Sequence, residues 1–289
     1  SMSFLDQNPG LGYPIAAGLG LLVGSFLNVV ILRLPKRLEW EWKRDSLETL
    51  GQADLYDPPP PGIVVEPSHC PHCQHKLSWY ENIPVFSWLA LRGRCRNCKT
   101  PISIQYPAVE LLTMLLVTAC VWRFGFGWQG FGASLLSCLL IAMSGIDLRT
   151  QLLPDQLTLP LLWLGLIASV DSLFIPAKEA IAGAVLGYLS LWVVYWVYKQ
   201  LTGKIGMGHG DFKLLAALGA WAGYKALLPI VMLSSIVGAI VGSIWLMTKG
   251  RDKATPIPFG PYLAIAGWIV FMWGNDIIGA YMRISGLQQ

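Results

Sequence analysis

Apolar and polar positions alternate along this chain in blocks far too long for the faces of a water-soluble protein. Pro14 to Leu32 carries no charged residue, and further apolar runs follow at about 109–122, 131–146, 157–175, 180–198, 212–223, 226–247 and 258–281. A helix crossing a bilayer needs roughly 20 mostly apolar residues. The eight runs therefore predict an all-α polytopic membrane protein with about eight transmembrane helices, the run at 212–223 being the shortest. A long polar stretch, Arg33 to Ala108, separates the first run from the rest and must hold the water-soluble structure. The expected organisation is a first helix within 1–32, a loop domain over 33–108 and a seven-helix core over 109–289.

Composition points the same way. Of the 289 residues 54% are hydrophobic and only 13% charged, where a soluble domain carries about a quarter. The formal charge of +4 is too small to argue for a nucleic-acid partner. The first run has no basic segment before it, and Asn28 and Arg33 stand where a signal peptide would place small cleavage-site residues, so it reads as a retained helix. The leading Ser1-Met2 reads as a cloning remnant.

The distribution of positive charge sets an orientation. With alternating crossings, 17 of the 21 Lys and Arg fall on the side of the 33–108 loop, and the other side receives only Arg123, Lys178, Lys225 and Arg283. The basic side is expected to be cytoplasmic, with both termini periplasmic.

Within the loop, Pro35 to Leu50 interleaves charges with Leu38, Trp40, Trp42 and Leu47, the pattern of a short amphipathic helix at a membrane surface or of a solvated capping helix. The run Pro58 to Pro61 is a stiff break after it. Two C-x-x-C pairs follow, Cys70/Cys73 and Cys95/Cys98, with 21 residues between them. Four thiolates at such spacing surround one tetrahedral Zn²⁺ in structural sites, leaving no position open for catalysis. A reducing cytoplasm disfavours the alternative of two disulfides. His69, His72 and His75 crowd the first pair and read as surface residues. Cys120 and Cys138 lie in apolar runs and read as packing residues.

Ionisable residues at or within apolar runs are costly and hence functional candidates. Asp171, Glu179 and Asp276 fall near outer ends, where solvation accounts for them, and Asp155 follows Pro154, where it could cap a helix. Asp147 ends an uncharged run, and Asp211 follows the glycine-rich Gly206-Met207-Gly208-His209-Gly210. By the crossing order both lie at cytoplasmic ends. Two facing aspartates sharing a proton can hydrolyse a peptide bond: one takes a proton from water while the other donates to the scissile carbonyl. Alternatively, Asp147 pairs with Arg149 or a loop lysine and Asp211 caps its helix; the residues alone leave both readings standing. Lys213 lies on another side of the helix from Asp211 and is not expected to neutralise it.

The sequence around these positions resembles one family. Gly208-His209-Gly210-Asp211 fits the GxGD signature of membrane aspartyl proteases. Gly24-Ser25-Phe26-Leu27-Asn28-Val29, Arg33-Leu34-Pro35, Glu81-Asn82-Ile83-Pro84, the paired cysteines, Tyr106-Pro107 with Val109-Glu110-Leu111, Asp147 with Leu152-Leu153-Pro154-Asp155, and Pro256 to Pro261 stand in family order. The chain is similar over essentially its whole length to bacterial type IV prepilin peptidases, leader peptidases with N-methyltransferase activity.

That resemblance implies an inner-membrane enzyme. It would remove the basic leader from type IV prepilins and type II secretion pseudopilins at the cytoplasmic face, after a glycine. It would then methylate the new N-terminus with S-adenosylmethionine. Asp147 and Asp211 match the catalytic aspartates, and Asp155 does not. Cys70, Cys73, Cys95 and Cys98 match the zinc loop. Gly93-Arg94 matches a Gly-Lys step linked to methyl transfer, with arginine here in place of lysine. His209 stands where an aromatic is usual and is read as filling space. The substrate's apolar helix is expected in a groove among the third, fourth and sixth spans. No glycine-rich nucleotide-binding pattern marks the methyl-donor site, for which Glu81, Glu110 and the loop glycines remain as candidates. The rival classes are a transporter with proton-carrying carboxylates, which would place them near mid-membrane, and a pilus or secretion scaffold with a regulatory zinc loop.

Overall fold

The computed structural model describes residues 4–52, 57–64, 66–70, 72–204, 206–249 and 258–284. Its α-helices are α1 (Phe4–Gln7), α2 (Pro9–Thr49), α3 (Phe86–Ala90), α4 (Gln105–Phe124), α5 (Trp128–Thr150), α6 (Asp155–Val170), α7 (Ala177–Thr202), α8 (His209–Ala222), α9 (Leu227–Lys249) and α10 (Gly260–Ile284). Among the described residues there is no strand, only two isolated bridges in the loop after α2. The chain divides into two compact units, 1–142 and 143–289; α5 begins in the first and ends in the second.

Each of the eight apolar runs is a helix, but they are not eight helices of crossing length. Among the described residues five are long and apolar enough to cross a membrane by length and composition: α2, α4, α5, α7 and the stretch Tyr224–Ile244. The described apolar part of α10, Gly260–Gly274, is shorter, as is α6. Helix α8 has 14 residues, roughly 21 Å at 1.5 Å per residue, against a hydrocarbon core of roughly 30 Å.

A second departure concerns the end of the first run. The sequence predicts a separate amphipathic helix from Pro35 to Leu50, yet α2 runs unbroken for 41 residues. Pro35 removes one N–H and crowds the preceding turn, but it is buried between the buried Leu34 and Leu38, so packing outweighs the lost bond. The loop is also tied back along this extension. Arg33 donates to the carbonyls of Gly62, Glu66 and Pro67 at 2.6, 3.0 and 3.3 Å, and Trp40 donates to the Asp57 carbonyl at 2.8 Å.

In the first unit, α2 carries buried small residues at every fourth position, Gly12, Ala16, Gly20 and Gly24, then Asn28, and Gly20 and Gly24 meet α4. A Cβ at Gly20 would stand 2.7 Å from the Met114 Cα, and one at Gly24 2.7 Å from the Glu110 Cα. Where lipid removes the hydrophobic drive between helices, such close approach is what makes them associate.

The second unit is built around α8, of which every residue from Leu214 to Trp221 is buried. It packs chiefly on α7 and α6, and also on α10. Gly183 and Gly187 of α7 admit the α8 backbone, a Cβ at Gly187 falling 2.7 Å from the Leu215 carbonyl oxygen. On α6, Gly165 accommodates the Trp221 ring, whose Nε1 donates to the Leu161 carbonyl at 2.8 Å.

Gly24→Val drives a side chain into backbone, which cannot yield, and is expected to destabilise by roughly 1–3 kcal/mol. Gly18→Val, with nothing within 4 Å of the added Cβ, is expected to melt like the parent in detergent. Equal melting of the two variants would refute the tight α2–α4 seam.

Candidate active site and metal centre

Asp147 lies three residues before the end of α5 and is 5% exposed; Asp211 is the third residue of α8 and is 7% exposed. The two carboxylates are close enough for the charge of one to act on the other. Asp147 Oδ2 accepts the backbone N–H of Gly260 at 3.0 Å. Gly260 is the first residue of α10, where N–H groups lack partners within the helix and carry partial positive charge. The Asp211 carboxylate takes a backbone hydrogen bond from Gly208, the residue before α8. Each acid is thus held by main chain at a helix N-terminus.

Glycine makes this approach possible. A Cβ at Gly260 would stand 2.6 Å from Asp147 Oδ2, and one at Gly210 would stand 2.6 Å from the Leu153 Cβ. Leu153 also borders Gly260, its two methyls 3.2 Å from the same added Cβ, so one side chain wedges between the start of α8 and the start of α10. Gly260 and Leu153 belong to motifs visible in the sequence, but only the folded chain gives them roles. The signal in hindsight was a glycine opening a helix directly after Pro258-Phe259.

The remaining candidates fall outside this pair. Asp155 is half exposed and accepts from Lys213 Nζ at 2.6 Å. The helix it opens is capped by Pro154 without a side-chain cap bond, so Asp155 serves an ion pair rather than the expected cap. Lys213 is accordingly turned toward α6. His209 stacks with Tyr195 and Phe212, ring centroids 5.2 and 5.4 Å away, as a space-filling residue does.

In the first unit, the four cysteines converge. All four Sγ atoms lie within 4.8 Å of one another, with Cys70–Cys98 at 3.8 Å and Cys73–Cys95 at 4.0 Å, and all four are free thiols. A tetrahedral ion bound at about 2.3 Å sets its sulfurs about 3.8 Å apart, so the donor set fits a metal ion. The two knuckles repeat one another. Cys70 N–H donates to His75 O and Gln74 N–H to Cys70 O; Cys95 N–H donates to Thr100 O and Lys99 N–H to Cys95 O. Gln74 and Lys99 hold equivalent left-handed φ values of 57° and 58°. Beside the cluster, the Thr100 hydroxyl and backbone hold the Cys98 thiol down at about 6, toward the thiolate form that binds metal.

Gly93 has φ +67°, and a Cβ there would stand 2.9 Å from the Trp88 ring; it is required by the turn. Arg94 lines a cavity with Leu91, Arg92, Cys95, Arg96 and Lys99, a strongly basic surface. Glu81 and Glu110 are both buried. Glu81 closes a capping box with Ser78 and lies 3.5 Å from His75 Nε2. Glu110 accepts the Val85 N–H at 2.7 Å.

A helical membrane protein with two main-chain-anchored aspartates at helix ends and a separate four-cysteine centre defines a class, and the comparisons with known proteins agree. Residues 19–124 match the bacterial peptidase A24 N-terminal domain and residues 134–243 the type IV leader peptidase family. A protein of Xanthomonas campestris pv. campestris named prepilin leader peptidase/N-methyltransferase is 71% identical, over 99% of this chain and 100% of its own. Proteins of the same name from Stutzerimonas stutzeri and Neisseria gonorrhoeae are 50% and 46% identical, over 99% and 96% of both chains. No solved structure matches. The chain belongs to the type IV leader peptidase family.

Gly260→Ala is expected to cut peptide cleavage by about a hundredfold, because the methyl displaces the Asp147 carboxylate by a fraction of an ångström or more. The added methyl meets only side-chain ends, Asp147 Oδ2 and the Leu153 methyls, which can shift, so activity lost with a melting temperature close to the parent's is the predicted pairing; full activity would remove this contact from the site. Metal retention should fall on acidification, because protons compete with the ion for the four thiolates. Metal content followed by pH titration, with Cys98→Ser beside the parent, checks this; a serine variant that keeps the parent's metal content and acid midpoint would remove Cys98 from the ligand set.

Proposed function

We propose that this chain is a membrane aspartyl endopeptidase that removes the leader from prepilins and pseudopilins and then N-methylates the new N-terminus with S-adenosylmethionine. The observation that carries it is the pair Asp147 and Asp211, buried, mutually within electrostatic reach, and held by Gly260 and Gly208 main chain. In peptide hydrolysis one carboxylate takes the proton of the attacking water while the other protonates the scissile carbonyl, and the two are kept apart in protonation by their closeness. The backbone anchors orient each acid without neutralising it by a cation. Asp155, occupied by Lys213, takes no part.

Cys70, Cys73, Cys95 and Cys98 hold one Zn²⁺ in a structural role. All four positions are protein thiolates, which leaves the ion no open site and makes it a staple for the loop. S-adenosylmethionine, when bound, supplies a methyl group activated by its sulfonium. Gly93 and Arg94 contribute to methyl transfer through the shape of the loop, Gly93 by the turn it alone accommodates against Trp88.

The topology that fits is eight crossings in the bacterial inner membrane, both termini periplasmic and the aspartates at the cytoplasmic face. The basic residues concentrated on the loop side support this orientation. Helix α8 crosses inside the bundle, surrounded by neighbours rather than lipid, which is why 14 residues suffice. The organisation proposed is a first helix, a loop domain between 33 and 108, and a membrane core from 109 onward. Carboxylates at helix ends count against the transporter reading, which needs them near the bilayer midplane.

The test is purified protein in lipid with a prepilin, labelled methyl donor, and the mass of the product N-terminus as readout. The parent is expected to cleave and methylate, and Asp147→Asn and Asp211→Asn to lose cleavage by at least about a thousandfold. Cleavage surviving in either variant would remove that aspartate from the mechanism.

A further inference from the structure

Helix α3 presents the wrong side outward for a segment surrounded by water. Phe86, Leu89 and Ala90 are all exposed, Phe86 to 66% and Leu89 to 58%. Their i, i+3, i+4 spacing puts them on one side of the helix. The polar and anchoring contacts are on the other: Trp88 Nε1 donates to the Ile102 carbonyl at 3.2 Å, and its ring packs against Gly93. A single exposed apolar residue needs no explanation, but a whole uncharged helix face marks a contact.

What covers that face follows from where the helix is tied. Val85, which caps the start of α3, donates its N–H to Glu110 Oε2 of α4 at 2.7 Å. At the other end Trp88 holds Ile102, just before α4 begins. Helix α4 is a candidate membrane span of 20 residues, roughly 30 Å at 1.5 Å per residue, the thickness of a bilayer's hydrocarbon core. Gln105 therefore stands at one edge of that core, and Glu110 roughly 8 Å inside it. A helix pinned to both positions lies at the headgroup boundary, the depth at which amphipathic helices bury an apolar face.

The chain directly after α3 adds charge. Arg92, Arg94, Arg96 and Lys99 line a cavity of about 370 Å³, within the roughly 300–1,000 Å³ usual for small-molecule sites. Arg96 lies over the Tyr80 ring and donates to its hydroxyl. Among the described residues, Arg92, Arg94 and Lys99 are in no ion pair. Cations without acids, beside an apolar face at a headgroup boundary, match a lipid of negative headgroup. We propose that α3 is a membrane foot: Phe86 and Leu89 sit among the upper acyl chains, and the cavity takes the phosphate of an anionic phospholipid. The loop that carries the four cysteines is thereby held on the membrane surface beside α4. This rests on α4 crossing the membrane, and on neither peptide cleavage nor methyl transfer.

The test places photoreactive p-benzoylphenylalanine at Phe86 of the full chain, in nanodiscs of phosphatidylcholine and phosphatidylglycerol. Mass spectrometry after irradiation identifies what the side chain has captured. Leu115, exposed halfway along α4, is replaced in the same way and reports whether α4 meets lipid. Expected at Phe86 is a phospholipid adduct in which phosphatidylglycerol is enriched about twofold over its share of the disc, as attraction to a basic site gives. Arg92→Gln combined with Lys99→Gln should return that share to the disc's own while the adduct persists. Glutamine already holds the left-handed turn at Gln74, and metal content equal to the parent's shows that the knuckles are intact. Lipid captured at Leu115 but not at Phe86 overturns the foot, as does capture of added prepilin in place of lipid. No enrichment in the parent, or enrichment that survives the double variant, overturns the cavity as a headgroup site. No lipid at Leu115 removes α4 as a span and the proposal with it, whatever the chain does to prepilin.

Discussion

One backbone N–H meeting one carboxylate oxygen organises the second unit. Asp147 could be neutralised by a lysine, but a fixed cation would end the acid–base role proposed for it. It is held instead by the Gly260 N–H at 3.0 Å, a partner whose charge is partial and whose position a helix start fixes. From this follow the absence of a side chain at 260, the opening of α10 at that residue, and the wedge of Leu153 against both Gly260 and Gly210. Asp211 repeats the solution with Gly208 at the start of α8. Two helices must therefore begin at the depth of two carboxylates. A helix that begins there and is walled by α6, α7 and α10 has no need to match the bilayer's thickness.

The two units solve the problem of cohesion differently. The helices associate through positions without bulk, Gly20 and Gly24 against α4 and Gly183 and Gly187 against α8, because close van der Waals contact is what a lipid solvent leaves available. The segment after α2 has no such recourse. Its regular elements among the described residues are a four-residue turn at Trp79–Asn82 and the five-residue α3, too little to bury a core. It relies on point attachments: the cysteine cluster, Glu81 closing its capping box, and Arg33 gathering three carbonyls.

Much of this was legible in the sequence, and the exceptions are physical. All eight apolar runs became helices because hydropathy over such lengths leaves the backbone no other way to satisfy itself. The four cysteines were legible because knuckle spacing has few geometric solutions. What pattern could not give was length and continuity. Pro35 reads as a break, yet burial of Leu34, Pro35 and Leu38 carries α2 through it; 212–223 reads as a span, yet its enclosure by neighbours allows α8 to be short. The aspartates were nameable, but their anchors were not, since a backbone N–H leaves no residue type to read. Gly260 appears in sequence within Pro256 to Pro261, where nothing says which acid its N–H would meet.

The lysine at 213 shows how the same constraint governs charge placement. It stands two residues from Asp211 in sequence, on another side of the helix. Its Nζ is 2.6 Å from Asp155 Oδ1, at the start of α6. A half-exposed pair of this kind adds little stability, so its effect is better sought in where it holds the lysine. Asp155 occupies the nearest cation on α8 and leaves Asp211 to its backbone partner and to Asp147. On this view the acid beside Pro154, which sequence offers as a helix cap, takes no part in the chemistry and holds the lysine of α8 toward α6.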